Sequence, residues 1–277
     1  MSAEVKSIDF DGIREETFQH KQWTVVSRKS HILHSKCIEN CAEKENDDKC
    51  LFCKFQQELQ IPNFPDMTFA KNLLRLQHSS GCGLQFTCLS ALKCVENCKD
   101  PLKVDVADAW LEARNENQFA NRISKPYNWT FSTRYIGDLL VNDNNETFSI
   151  ENAIERIDVD KLRQKEEILF YDDINLFEDE LADNGVAKCS VKIRVMKERF
   201  LILLRYFLRV DNVMTRIFDT RFYYEDGKNY LLREQTLREG SLKVVHIPPQ
   251  ALLDPVQLSN YLPLTQLINE KLVFPKT

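Results

Sequence analysis

The sequence predicts an α+β fold organised around a long meander of antiparallel strands, and three observations predict it. The 277 residues are 43% apolar, enough to enclose a substantial core as one large domain or two modest ones. Residues 168–236 fall into strand-length segments of apolar and β-branched side chains. Asp183-Asn184-Gly185 and Asp226-Gly227 punctuate them where hairpin turns are due.

Each element of the meander has its own warrant. The segment from Ile174 to Leu181 leads into the first turn, where Asn184 before Gly185 accepts the positive φ of a tight hairpin. Val191, Ile193 and Val195 alternate with Lys192 and Arg194, the two-residue period of a strand with one wet face. Residues 200–210, 213–224 and 230–233 supply further strands. Along 200–210 the even positions Phe200, Ile202, Leu204, Tyr206 and Leu208 form an apolar face for the core. The odd positions carry Leu201, Leu203 and Phe207 with Arg205 and Arg209, while Asp219 and Arg221 share a face of the next strand.

Upstream, residues 1–22 are polar and weakly patterned, a flexible tail before a single domain over 23–277. Trp23 begins the first strand. Alternation through Leu74, Arg75, Leu76 and Gln77 marks a strand over 72–78, a turn follows at 79–83, and Leu84 with Phe86 resumes as strand. Ser90, Ala91, Leu92 and Val95 suggest a short amphipathic helix, and 106–114 a second. Residues 126–140, rich in aromatics and threonine and interrupted by Gly137 and Asp138, read as strand, turn, strand. Asp158 or Asp160 caps a helix running through Leu162 to Glu167.

Composition narrows the function. A net charge of -5 favours neither a nucleic-acid backbone nor an anionic membrane, and leaves a protein partner or small ligand. Residues 1–11 lack the apolar core of a secretory signal, and the longest apolar block, 200–210, is broken by Arg205 and Arg209. A cytoplasmic or nuclear location is expected, with the nine cysteines reduced. Only seven glycines are present, with no phosphate-cradling loop, nucleophile elbow or helical histidine pair, which points away from an enzyme. His78, beside Ser79 and Ser80, is the one histidine worth examining as a base. The acidic run from Asp172 to Asp183 lacks the ligand spacing of a calcium loop.

Two constellations remain. Arg205, Arg209, Arg216 or Arg221 with Asp219 could form a charged platform with apolar neighbours, the composition of a protein-recognition surface; an ordinary solvated sheet face has the same pattern. Cys37, Cys41, Cys50 and Cys53 are written C-x3-C-x8-C-x2-C within a polar excursion at 35–56. Four thiolates can surround one structural zinc, although the middle spacing is short. Free cysteines in a polar insertion are the other reading, and a zinc protein or metal-dependent enzyme using this excursion and His78 is the alternative function. Cys82, Cys88, Cys94 and Cys98 read as buried or idle thiols.

Several stretches, in one order from about Trp23 to Pro275, resemble the TIPRL, or TIP-forty-one-like, family of TOR pathway regulators. They are Asn72-Leu73-Leu74-Arg75-Leu76-Gln77-His78, Lys125-Pro126-Tyr127-Asn128-Trp129-Thr130, Leu176-Phe177-Glu178-Asp179-Glu180-Leu181, Ser190-Val191-Lys192-Ile193-Arg194-Val195-Met196, Asp219-Thr220-Arg221, Leu232-Arg233-Glu234 and Glu270-Lys271-Leu272-Val273-Phe274-Pro275. The resemblance implies antiparallel sheets in a two-layer sandwich with flanking helices. It implies a non-catalytic, monomeric regulator that binds and inhibits the catalytic subunits of type 2A and related Ser/Thr phosphatases. It carries Ile157 and the 217–221 segment, with Ile217, Asp219 and Arg221, onto the phosphatase-binding surface, and it favours Arg209 beside them. Ser90 stands where family members often carry an acidic residue, and the 35–56 excursion is longer than the family pattern. On this reading Asp219→Lys is expected to leave the fold intact and weaken partner binding.

Overall fold

A computed structural model describes residues 4–8, 12–37, 39, 41, 44, 45, 48–59, 61–96, 128–242 and 247–275. Two antiparallel sheets face each other. The first has the strand order β1 (Glu4–Ile8), β2 (Arg14–His20), β3 (Trp23–Lys29), β5 (Leu73–His78), β6 (Gly83–Thr87) and β7 (Asp138–Leu140). The second runs β4 (Met67–Thr68), β9 (Ile168–Asp179), β10 (Gly185–Met196), β11 (Arg199–Val210), β12 (Met214–Glu225), β13 (Tyr230–Ser241), β14 (Leu264–Val273) and β8 (Ser149–Asn152). Short helices α1 (Leu51–Glu58), α2 (Cys88–Lys93), α3 (Val159–Arg163) and α4 (Pro255–Leu258) flank them. The expected α+β two-layer sandwich is present. No helix among the described residues is long and apolar enough to cross a membrane.

The sandwich follows from alternation. All five even positions of β11 from Phe200 to Leu208 are buried, against Trp23, Val25, Leu74, Leu76, Leu84 and Phe86 of the first sheet. Trp23 meets Phe200 and Tyr224 edge-on at 5.1 and 5.4 Å, and Phe86 meets Phe222 at 5.6 Å. Such pairs add about 0.5–1.5 kcal/mol beyond the area they bury. Polar ties fix the sheets' relative position: Asp172 of β9 accepts a hydrogen bond from Ser27 of β3 and forms an ion pair with Lys29. The Asn72 amide donates to the Asn175 carbonyl at 2.7 Å and accepts from the Ser30 amide at 2.6 Å.

Several expectations need correction. Residues 14–20, expected within a loose tail, form β2, because they pair along their length with β3 and bury Phe18 and His20. The helix near Ser90 begins at Cys88, since Thr87 is its cap and accepts from the Ser90 amide. Within 128–140 only β7 is strand. The hydroxyls and amides before it bond locally instead, the Thr130 amide to the Asn128 side chain at 3.0 Å, while Tyr206 donates to the Thr130 carbonyl at 2.8 Å. Asp158 does cap a helix, but α3 ends at Arg163 because none of its residues is buried and packing cannot extend it. The candidate helix at 106–114 and Cys98 lie outside the described residues.

The β9–β10 turn uses different residues from those expected. Positive φ falls on Leu181, Ala182 and Asp183, at 51°, 53° and 65°, rather than on Asn184. Side chains hold this uncommon run: Asp179 accepts from the Leu181 amide at 2.7 Å, and the Asn184 amide group donates to the Leu181 and Ala182 carbonyls. Gly185 follows with φ 148°, and a Cβ there would stand 1.9 Å from the Arg209 carbonyl oxygen. Gly185→Ala is therefore expected to lower unfolding free energy by about 2 kcal/mol or more, measured by urea denaturation. An unchanged midpoint would show that the turn can relax.

Candidate functional site

The outer face of the eight-stranded sheet carries an ionic band. Register places Arg205 of β11 opposite Asp219 of β12, and Arg221 opposite Glu234 of β13. The Arg205 guanidinium donates twice to Asp219, at 2.7 and 2.8 Å. Arg221 donates to the same carboxylate at 2.8 Å and reaches Glu234 at 3.3 Å. Arg156, before α3, closes the chain on Glu234 at 2.7 Å. Burial, the largest single influence, disfavours charge on Arg205, but the hydrogen bonds and charge of Asp219 together with the charge of Asp254 outweigh it and raise its pKa. Three arginines thus share two carboxylates, leaving one positive charge in excess, and the arginines become more exposed from Arg205 through Arg221 to Arg156 while Asp219, at 2%, stays buried.

Two apolar covers border the band. At one end Phe207 and Ile217 lie under Leu258 of α4 and Leu262. At the other Ile157 packs on Tyr223 and Leu232, with Leu162 of α3 beside them. Glu155 clamps this second cover to the sheet, accepting from Lys228 at 2.8 Å, Tyr230 at 2.7 Å and pairing with Lys271 at 2.9 Å. Those partners, Lys228 first, pull its pKa down to about 2 against the opposing effect of burial. The outer rims expose apolar groups: Ile154 is 99% exposed, and Val256, Tyr261 and Leu267 are also open. Leu267 stands opposite Thr236, itself opposite Asp219.

The residues singled out from sequence are distributed unevenly over this face. Arg205, Asp219 and Arg221 are brought together. Arg216 is not; it occupies the other face of β12, bonded to Glu239 at 2.9 Å beside a small cleft lined by Glu96 and Arg134. Arg209 shares the band's face but sits beyond Phe207, its Nε 2.7 Å from Asp211 without the alignment of a hydrogen bond. Asp219, Ile217 at 1% exposure and Ile157 at 6% lie beneath the surface. They shape it from below, so Asp219→Lys would set three cations together inside the sheet rather than spare the fold. Ser90 is remote from the band, half-buried on α2 and accepting from the Thr87 hydroxyl at 3.0 Å. Arg156, Glu234 and Ile154 escaped sequence reasoning, because only long-range register and the Glu155 clamp place them here.

The other sequence candidates separate cleanly. The Cys37, Cys41, Cys50 and Cys53 sulfurs all lie within 4.8 Å of one another, and among the described residues theirs is the one such cluster of metal-ligating side chains. The backbone amides of Cys41 and Glu39 point at the Cys37 sulfur and pull its pKa down to about 6. His78 is not in that cluster. Its Nδ1 accepts from the Ser80 amide at 3.1 Å, Nε2 faces Gln22 at 2.8 Å, and the ring packs on Trp23 and Phe274. Burial lowers its pKa, so the neutral ring staples a turn. Cys82 and Cys88 are buried as expected, whereas Cys94 is exposed.

Fold and face together define a two-layer β-sandwich protein with a preorganised ionic surface framed by apolar rims. Residues 67–246 match the model of the TIP41-like family. A TIP41-like protein of Homo sapiens is 41% identical over 255 residues, covering 92% of this chain and 88% of the human one. One from Caenorhabditis elegans is 37% identical over 258 residues, covering 91% and 88%. The Saccharomyces cerevisiae relative, named a type 2A phosphatase activator, is 34% identical over 256 residues, covering 84% and 67%. The chain belongs to the TIP41-like family.

Two measurements probe the face. Asp219→Ala strands the mostly buried Arg205 and leaves Arg221 with Glu234 alone, and is expected to cost about 3–5 kcal/mol of stability in urea denaturation. Asp219→Lys should cost at least as much, and a parental midpoint for either would show that the band relaxes freely. Because the folded pKa of Glu155 lies below its ordinary 4.5, its contribution is whole above about pH 4.5 and is lost as pH falls towards 2. With the clamp a third exposed, Glu155→Gln is expected to lose only about 1 kcal/mol at pH 7, the gap to the parent closing across that acid range. A gap independent of pH would assign the loss to packing.

Proposed function

We propose that this chain is a non-catalytic regulator that binds the catalytic subunits of type 2A and related Ser/Thr phosphatases and modulates them within TOR signalling. It works as a monomer in the cytoplasm or nucleus. Family membership and the name of the yeast relative support the partner class. The observation that carries the contact surface is the ionic band, whose accessible arginines stand between exposed apolar rims. Arginine forks and half-exposed apolar groups dominate the energy of protein interfaces, and the band's excess positive charge suits an acidic patch on the partner. In this reading Arg156, Arg221, Ile154 and Leu267 make contact, with Arg209 at the periphery. Asp219, Ile217 and Ile157 hold them in place. Ser90, on α2, belongs to a second and smaller contact.

The direction of regulation is inhibition in this proposal, which the yeast relative's name as an activator makes worth measuring directly. Calorimetric titration of the full chain onto a purified type 2A catalytic subunit, with phosphatase activity followed in parallel, is expected to give saturable one-to-one binding and reduced turnover. Arg156→Gln and Leu267→Asp should each weaken binding about tenfold, equivalent to about 1.4 kcal/mol, with the unfolding midpoint close to the parent's. No saturable binding would overturn the partner. Parental affinity in both variants would move the contact off this face, and raised turnover would reverse the sign.

A further inference from the structure

We infer that Cys37, Cys41, Cys50 and Cys53 hold a structural zinc ion as a closed tetrathiolate. Zinc–sulfur bonds of about 2.3 Å in a tetrahedron set the sulfurs about 3.8 Å apart. Cys37 and Cys50 are already separated by 3.9 Å, and no pair, all lying within 4.8 Å, has to close by more than about 1 Å. That 3.9 Å is also nearly twice a disulfide bond of about 2.05 Å, and all four thiols are free. An iron–sulfur cube would need its ligands spread around a larger core.

The backbone is shaped for the same purpose. Cys50 is the N-cap residue of α1 and Cys53 lies in its first turn, so C-x2-C presents two sulfurs from one helix end. Cys37 and Cys41 approach from the preceding excursion. The Cys50 thiol makes no bond to its own helix, while the Cys50 amide donates to the Cys41 sulfur at 3.2 Å, an arrangement that stabilises a thiolate. On binding, each thiol releases its proton to solvent and its sulfur donates a lone pair to the metal, giving a site with no open coordination position. Such a site is structural. Its place in the fold says what it stabilises: Phe55 and Leu59 anchor the far end of α1 in the main core, and Glu58 pairs with Lys93 of α2 at 2.6 Å. The metal fastens the near end, where the excursion offers only Cys41 as a buried apolar group between 37 and 50 among the described residues.

Plasma emission measurement on the full chain, purified under reducing conditions, is expected to find one zinc per chain. The double variant Cys50→Ser, Cys53→Ser should fall to none, while Cys94→Ser, which removes an exposed thiol outside the quartet, keeps the full complement. Exchange for cobalt should give the intense visible absorption of a four-thiolate tetrahedral ion. Alkylation of the parent chain, read by mass spectrometry before and after chelation, gives a test that does not require the variant to fold: the four thiols should be protected only while zinc is bound. The inference is overturned by a metal-free chain that takes up no added zinc chloride, by iron and sulfide in place of zinc, or by zinc retained in the double variant.

Discussion

The register of β11 against β12 is the constraint on which the rest depends. Side chains alternate faces with a period of two, so Arg205 can oppose Asp219 on the outer face only if Tyr206 and Phe218 oppose each other on the inner one. A slip of one residue would drive a salt bridge into the aromatic core and turn Phe200, Ile202, Leu204 and Leu208 towards solvent. Burial of a single such side chain is worth about 1.5–3 kcal/mol, so the apolar face alone penalises the slip heavily. The charged face does so independently, since Arg205 would lose two hydrogen bonds.

That register also explains the two covers. The outer face is not uniformly polar: it presents Phe207 and Ile217 on one side of the band, and Leu201, Tyr223 and Leu232 on the other. Each apolar group requires a lid, and the chain supplies one from the segment around α4 and one from the segment before α3. The second lid has no buried side chain in its helix, so it depends on Ile157 inserted from one side and the Glu155 clamp from the other. Neighbouring residues divide the work. Ile157 points in, which leaves Ile154 and Arg156 pointing out.

How much of this the sequence made legible depended on the range of the interaction. The meander was readable because alternation, turn chemistry and strand length are local, and the same alternation placed Arg205 and Asp219 on outward faces. Their direct opposition was not readable, because register is decided by the whole ladder. Arg216 is a different case, because alternation along β12 alone decides it: as an even residue it follows Phe218 and Phe222 to the inner side, away from Asp219. Residues 14–20 looked structureless because their alternation is weak, and pairing with β3 on one side and β1 on the other rewards them. The cysteine quartet was visible through spacing, but spacing alone left convergence of the two pairs undecided, and the folded path of the excursion supplies it.

A buried ion pair is a poor way to gain stability, since apolar residues of similar volume commonly do as well or better. The band at Asp219 therefore needs a different account. Asp219 is nearly inaccessible, yet one of its oxygens is shared between Arg205 and Arg221, whose guanidinium spans onward to Glu234 and so to Arg156 at the surface. Each fork fixes the plane of the next, and the arginines that reach solvent lose much of their rotamer freedom before any partner arrives. Preorganisation of this kind lowers the entropy that association must otherwise give up at each immobilised side chain, about 0.5–1.5 kcal/mol. Energy spent on burying Asp219 is recovered as orientation at the rim, where it would count towards recognition rather than folding.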